Sequence, residues 1–369
     1  MVRVPIDPGF GERLARRVAE LFAEAELAVL RRLASALTRG VDEPAWATSR
    51  LAELEWVRAQ IARDLATLDE QAAVVVGQVV GQAYTAGRAL AVRDLDGLGL
   101  EVVMPPATLR AVEAIAAETV DRVGPWAPRI LRAAQDVYQR TVADASATVL
   151  LGTQTRREAA QQALDRLTER GVGTFRDRSG RRWALESYVE MAVRTGAGKA
   201  AVDGHTAQLV AAGVDLVVVS DAPRECPLCL PWEGKVLSIT GGVTGAVDVP
   251  STTGDGTVPV RVAGTVDEAR AAGFQHPNCR HSLSAYLPGA TRVPAARSER
   301  AGYEDQQRQR AIERGIRKWK LREAAALDDE AAARARAKVR QWQAAMREHL
   351  AEHPALKRQT TREQVGRAR

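Results

Sequence analysis

Two segments decide how this chain is read. The first is Asp221-Ala-Pro-Arg-Glu-Cys226-Pro-Leu-Cys229-Leu-Pro-Trp232-Glu-Gly234-Lys-Val-Leu. The second, further along, is Gly273-Phe-Gln-His276-Pro-Asn-Cys279-Arg-His281-Ser. Together they hold all three cysteines and two of the five histidines. A Cys-x2-Cys pair can place two thiolates on one metal ion, and a second cluster brought close in space completes a tetrahedron. The second cluster here is His-x2-Cys-x-His. Cys226, Cys229 and Cys279 with one imidazole would make a closed structural zinc site. The spacing does not choose between His276 and His281; the other ring would stand behind the ligands or compete with them. The first pair has a common zinc spacing, whereas the second cluster is not a standard finger. Two plainer readings stay open. The thiols can be reduced and buried beside hydrogen-bonded histidines, or Cys226 and Cys229 can form a disulfide, which suits an oxidising compartment.

Outward from these segments the chain reads as a small α+β domain over residues 174–295. Val214 to Ser220 is an apolar run bounded by Gly213 and Asp221, and reads as a strand. Lys235 to Ile239 is a second strand. Gly241 to Gly264 is rich in Gly, Thr, Val and Pro, which predicts a long loop or ribbon. Val266 to Ala272 is a short helix that delivers the His/Cys cluster. Upstream, Thr174 to Trp183 predicts a hairpin turned at Ser179-Gly180, and Ala184 to Ala212 a helix. A metal would staple the two ends of this domain and add stability its small core lacks. Gly196-Ala-Gly198-Lys199 is not a phosphate loop, because Val193 replaces its first glycine and Ala200 its Ser/Thr.

The flanks are helical. Residues 1–173 form an elongated helical region. Pro8 to Arg39 carries Leu14, Val18, Leu21, Phe22, Val29, Leu33 and Leu37 on one side, and Gly40 ends it. Glu43 to Asp94 is helical with one break, and Gly97 to Gly99 is a loop. A short helix starts at Pro105-Pro106 and ends at Val123-Gly124-Pro125. Trp126 to Arg170 reads as one long helix. Residues 296–369 form a basic helical tail with helices over Glu299 to Ala326 and Asp328 to Ala351, anchored by Trp319 and Trp342. Pro354 ends the second, and the last fifteen residues read as frayed. The fold class is therefore mainly α, with a central small α+β domain between a long helical bundle and a helical tail.

Composition agrees, with 4% aromatic residues and abundant alanine and arginine. Three cysteines in 369 residues do not make a secreted disulfide framework. Met1-Val-Arg-Val-Pro-Ile-Asp-Pro has no apolar core of a signal peptide. Ala72 to Val92 is the most membrane-like stretch and spaces Gly77 and Gly81 as GxxxG. It also carries Gln78, Gln82, Thr85 and Arg88, so it reads as a tightly packed bundle helix rather than a membrane span. The net charge of +6 is uneven: from Arg292 onward 20 Lys/Arg face 11 Asp/Glu, against 32 and 35 in the remainder. A basic helical tail can touch nucleic acid or an acidic protein surface, or simply present a solvated face.

The middle domain and the tail together resemble the phage minor capsid proteins related to the head-morphogenesis protein F of phage Mu, and most closely the subgroup called phage minor capsid protein 2. The residues that carry the resemblance are Arg181-Arg-Trp183-Ala-Leu-Glu-Ser-Tyr188-Val-Glu190-Met-Ala-Val-Arg194-Thr195, Val219-Ser-Asp221, Cys226-Pro-Leu-Cys229 with Trp232-Glu-Gly234-Lys235, and His276-Pro-Asn-Cys279-Arg-His281. Tyr303-Glu-Asp-Gln-Gln-Arg308, with Arg310, Arg314, Arg317 and Lys320, is similar to the family's tail pattern. The Gly241–Gly264 segment is longer than the family's usual connection, and Asp221-Ala-Pro-Arg stands where a histidine is expected. The resemblance implies a low-copy virion protein beside the portal, acting in head assembly and in DNA packaging or delivery. It implies the portal and other head proteins as partners in a multimeric assembly, packaged DNA near the basic tail, and the host cytoplasm as the place of assembly.

Two other readings compete with this non-enzymatic one. An enzyme would use Cys226 or Cys279 as nucleophile with His276 or His281 as base, or an open zinc site with Glu190, Asp221 or Glu233 as base. Three cysteines gathered with two histidines fit metal ligation better, and neither HExxH nor a deaminase-type HxE is present. A host-directed effector would carry an extra domain after the tail.

Overall fold

The computed structural model describes residues 8–96, 109–150, 154–170, 175–176, 182–183, 185–221, 227–277, 279, 281–293 and 300–365. The expected class holds: helices dominate and a small mixed sheet sits in the middle of the chain. Among the described residues seven helices come first. They are α1 (Pro8–Thr38), α2 (Trp46–Ala52), α3 (Leu54–Leu65), α4 (Leu68–Asp96), α5 (Leu109–Val123), α6 (Ala127–Leu150) and α7 (Arg156–Arg170). The middle holds β1 (Phe175–Arg176), β2 (Arg182–Trp183), α8 (Leu185–Ala211), β3 (Leu216–Val219), β4 (Val236–Ser238), β5 (Gly245–Pro250), β6 (Thr257–Thr265), α9 (Val266–Ala271) and β7 (Leu283–Ala285). Helices α10 (Arg300–Ala324) and α11 (Asp329–Glu352) close the chain.

Three expectations need correction. Glu43 to Asp94 breaks twice, into α2, α3 and α4. The helix expected from Trp126 to Arg170 is two helices. Thr155 starts α7 with a capping box, its hydroxyl accepting from the Glu158 amide (3.2 Å) while the Glu158 carboxylate accepts from the Thr155 amide (2.8 Å). The last fifteen residues are not all frayed: Arg362 and Glu363 are buried, and Arg358 makes a two-pronged bond to Glu363, both contacts at 2.7 Å. The hairpin forms with Phe175 opposite Trp183, while its expected Ser179-Gly180 turn lies outside the described residues. So do Gly97 to Gly99 and Pro105-Pro106.

The chain divides into two compact units. One comprises Val18–Ala73, Val123–Val189 and Asp305–Arg369. Its core holds Phe22, Leu30, Leu33, Leu37, Trp46, Ile61, Leu65, Trp126, Ile130 and Tyr138. Two polar side chains inside it reach backbone carbonyls: the Trp46 indole donates to that of Leu37 (3.1 Å), and the Tyr138 hydroxyl to that of Arg50 (3.2 Å). Asp69 accepts from the Trp126 and Ala127 amides and so caps the start of α6. Trp342 of α11 lies over Gly315 of α10, beside Ile312, Ile316 and Met346. Trp319 is only half-buried, with the Arg322 guanidinium 4.5 Å from its ring centroid.

The other unit comprises Met1–Arg17, Val74–Arg122 and Glu190–Glu304 and contains the five-stranded sheet, ordered β5-β6-β4-β3-β7. β3 pairs antiparallel with β4 and β7, β4 runs parallel to β6, and β5 and β6 form the expected ribbon. Leu216, Val218, Val236, Val260, Val262 and Tyr286 cluster on one side. Val217 and Val219, which point the other way along β3, are also fully buried, as expected for an unbroken apolar strand covered on both faces.

The Ala72 to Val92 stretch is a packed helix. Arg17 donates to Gln78 and Gln82, and buried Arg88 donates to Gln208 of α8. The close approach uses other glycines than Gly77 and Gly81. Gly87 lies on the backbone of Ala201, and Gly204 on that of Tyr84. Among the described residues no helix is long and apolar enough to cross a membrane.

Candidate metal centre

The two segments quoted first meet at one end of β3. Gly234 takes φ of +67°, closing the short turn that follows Cys229. The Trp232 amide donates to the Cys229 carbonyl (2.9 Å) and the Gly234 amide to Val219 (3.2 Å), so this turn is tied to the strand. On the other side, the Ser220 amide donates to the Ser282 carbonyl (2.9 Å) and the Ser282 amide to the Ser220 hydroxyl (2.9 Å). Helix α9, held by the Thr265/Glu268 capping box, delivers the second segment. Gln275 there takes a left-handed φ of 56°, rare for a residue with a side chain. Arg270 steadies it, donating to Gln275 (2.8 Å) and to Asp203 of α8 (2.6 Å).

Three of the five candidate ligands come together. Cys229 Sγ lies 3.6 Å from Cys279 Sγ, which lies 3.4 Å from His281 Nδ1. A tetrahedral zinc with Zn–S of about 2.3 Å and Zn–N of about 2.0 Å requires sulfurs about 3.8 Å apart and sulfur to nitrogen about 3.5 Å. The donors thus already stand at the separations that such an ion needs. His276 is not among them; its Nδ1 faces the Pro277 carbonyl at 2.7 Å. Cys226 lies outside the described residues. Cys229 and Cys279 do not form a disulfide with each other.

Glu233 completes the arrangement. Its carboxylate is 2.5 Å from His281 Nε2, with the two side chains 0% and 3% exposed. A carboxylate there fixes the tautomer with the proton on Nε2, leaves the Nδ1 lone pair facing the sulfurs and raises the basicity of the ring. Phe274 packs against the same ring, centroids 5.9 Å apart.

Electrostatics favour a cation among the donors. Hydrogen bonding from Cys229, followed by the His281 ring and amide, pulls the Cys279 thiol well below its ordinary range, although burial opposes this. Burial opposes a charge on His281 too, yet Cys279 and Glu233 outweigh it and raise the ring's pKa. The field that would hold a proton on His281 is one in which a metal ion can take that proton's place. Sequence reasoning quoted Glu233 only as a candidate base; its pairing with His281 needed the fold. Of the two other such candidates, Glu190 and Asp221, the first is 3.2 Å from Arg194.

The basic tail is less exposed as charge than its composition suggests. Arg317 is 3.6 Å from Glu186, Arg336 is 3.7 Å from Glu323, and Arg322 is 3.8 Å from both Asp165 and Glu169. Lys318 pairs with Glu169, and Arg334 with Glu330. Arg340 and Arg347 are exposed on α11 together with Lys338, which donates to Gln341.

Comparison with known proteins gives the class first. A protein of Lactococcus phage LL-H described as "Structural protein" is 29% identical over 237 residues, covering 62% of this chain and 61% of that relative. The chain thus spans less than two thirds of the relative's length, and the likeness points to phage structural proteins. Residues 6–351 match the family described as Phage minor capsid protein 2, and the chain belongs to that family. No solved structure matches it.

Proposed function

We propose that this protein is a low-copy component of the phage head, placed beside the portal, whose sheet-bearing unit is stapled by one structural zinc ion. Cys229, Cys279 and His281 would hold the ion, with Cys226 as the fourth ligand and Glu233 orienting His281. Bound zinc would supply crosslinking rather than chemistry. The observation that carries this reading is the closed character of the donor set. Cys229 is 0% exposed and the His281 side chain 3%, with Cys279 partly exposed between them, which suits a structural site better than an open catalytic one. The exposed cations of α11 support a contact with packaged DNA or with an acidic face of a head protein. Assembly would occur in the host cytoplasm and the product would be a virion part.

One observation favours a second reading. Cys279, His281 and Glu233 form a thiol–imidazole–carboxylate chain, the order used by cysteine nucleophiles. Against it, Cys279 Sγ has a second sulfur, Cys229 Sγ, 3.6 Å away, an arrangement that suits metal ligation better than a lone nucleophile.

Glu233→Gln separates the two. Under the structural reading it lowers zinc affinity about 10- to 100-fold, by loosening His281, and particles still assemble. Under the enzymatic reading it abolishes a step that assembly or delivery needs. The head-protein reading is tested by quantitative mass spectrometry of purified DNA-filled particles, with the portal as internal standard. A stoichiometry comparable to the portal's is expected; absence from particles, with abundance in infected cytoplasm, would overturn it.

A further inference from the structure

The unit containing α11 holds a second group of metal-ligating side chains that no part of the reading above uses. His349 and His353 are one turn apart on α11, their ring centroids 4.7 Å apart, and Glu352 lies between them in sequence. Donor atoms of these three residues fall within 4.8 Å of one another. Asp305, in the first turns of α10, faces both rings: His349 Nε2 donates to its main-chain carbonyl (2.9 Å), and His353 Nδ1 is 3.1 Å from its carboxylate.

We propose that His349, Glu352 and His353, with the Asp305 carboxylate within reach, form a binding site for a divalent transition ion such as zinc. Four features support it. His349 is buried, and donation from Nε2 to a carbonyl leaves Nδ1 as the lone-pair nitrogen of the neutral ring, the outer hydrogen bond typical of ligating histidines. His353 is the C-cap of α11, so an ion there sits at the negative end of the helix dipole. Two carboxylates beside two imidazoles balance the charge of one divalent ion. Imidazole and carboxylate without thiolate suit zinc, nickel or cobalt, whereas calcium and magnesium prefer all-oxygen shells. The ion would pin the end of α11 to the start of α10. The site belongs to the other compact unit, and the proposal does not depend on the cysteine cluster.

The test is equilibrium dialysis of the full chain against micromolar zinc, with metal counted per chain, for the wild type, His353→Gln and Glu352→Gln. His353 and Glu352 are partly or fully exposed, so neither change is expected to disturb folding, and circular dichroism without added metal checks this. Wild type is expected to bind one more equivalent than His353→Gln, with Glu352→Gln at least tenfold weaker at that equivalent. Added zinc is expected to raise the wild type's thermal midpoint more than that of His353→Gln. Equal zinc content and equal thermal response in the wild type and both variants would overturn the proposal. If His353→Gln fails to fold, unchanged binding by Glu352→Gln does so by itself.

Discussion

Gly87→Ala is expected to disrupt the sheet-bearing unit, whereas Gly77→Ala in the same helix is expected to be neutral or stabilising. A Cβ on Gly87 would lie 1.9 Å from the Ala201 carbonyl oxygen and 2.7 Å from its carbon. Both atoms are helix backbone, so no side-chain rotation relieves the clash and α4 must move away from α8. Overpacking typically costs about 1–3 kcal/mol, and a backbone collision belongs at or above the top of that range. Separation would also pull apart the buried Arg88–Gln208 bond. At Gly77 a Cβ meets nothing within 4 Å. There only the intrinsic preference for alanine acts, worth up to about 1 kcal/mol in favour of the helix. Chemical denaturation of both variants, followed by circular dichroism, checks the contrast. A Gly87→Ala protein as stable as the wild type would show that the two helices do not touch at this point.

Cys279→Ser carries the other large effect. Under the zinc reading it removes the ligand that both other described donors face, and zinc is expected to fall from one tight equivalent per chain to less than about a tenth. Structural zinc binding is worth roughly 10–16 kcal/mol in small zinc-folded domains, so losing the ion is expected to leave the sheet-bearing unit largely unfolded or protease-sensitive. A strong chelator is expected to reproduce the change in the wild type, and added zinc to reverse it there but not in the variant. His281→Gln is expected to behave like Cys279→Ser, and His276→Gln like the wild type. If the thiols form only a reduced cluster, Cys279→Ser costs about 1–2 kcal/mol for a perturbed buried contact and chelator has no effect. Limited proteolysis with and without chelator separates these outcomes.

Much of this architecture was legible because its signals are local. The run Leu216 to Val219 reads as a buried strand since every side chain is apolar, and α1 reads from its apolar spacing. The five-residue Cys/His set is equally plain. What was not legible depends on partners distant in sequence. Leu283–Ala285 is too short to show alternation, and becomes a strand only because β3 offers it an edge. Gly77 and Gly81 have the familiar spacing, yet the helices touch at Gly87 and Gly204, which only the crossing of α4 with α8 selects. The tail after Pro354 is polar in composition, but Arg358 and Glu363 bond each other, and the Arg362 carbonyl accepts from Arg317 (3.1 Å). His281 rather than His276 faces the sulfurs, and its partner Glu233 lies 48 residues away in sequence, so neither contact shows in the local pattern. Thr155-x-x-Glu158, by contrast, is a local signal for a helix start, and it divides the Trp126 to Arg170 stretch.

The most direct test of the central claim is zinc K-edge X-ray absorption on the purified full chain, washed with a mild chelator so that only tightly held metal remains. The account predicts one zinc per chain with a shell of three sulfurs at about 2.3 Å and one nitrogen at about 2.0 Å. A shell of nitrogen and oxygen alone, or a folded protein that retains no zinc, would contradict it.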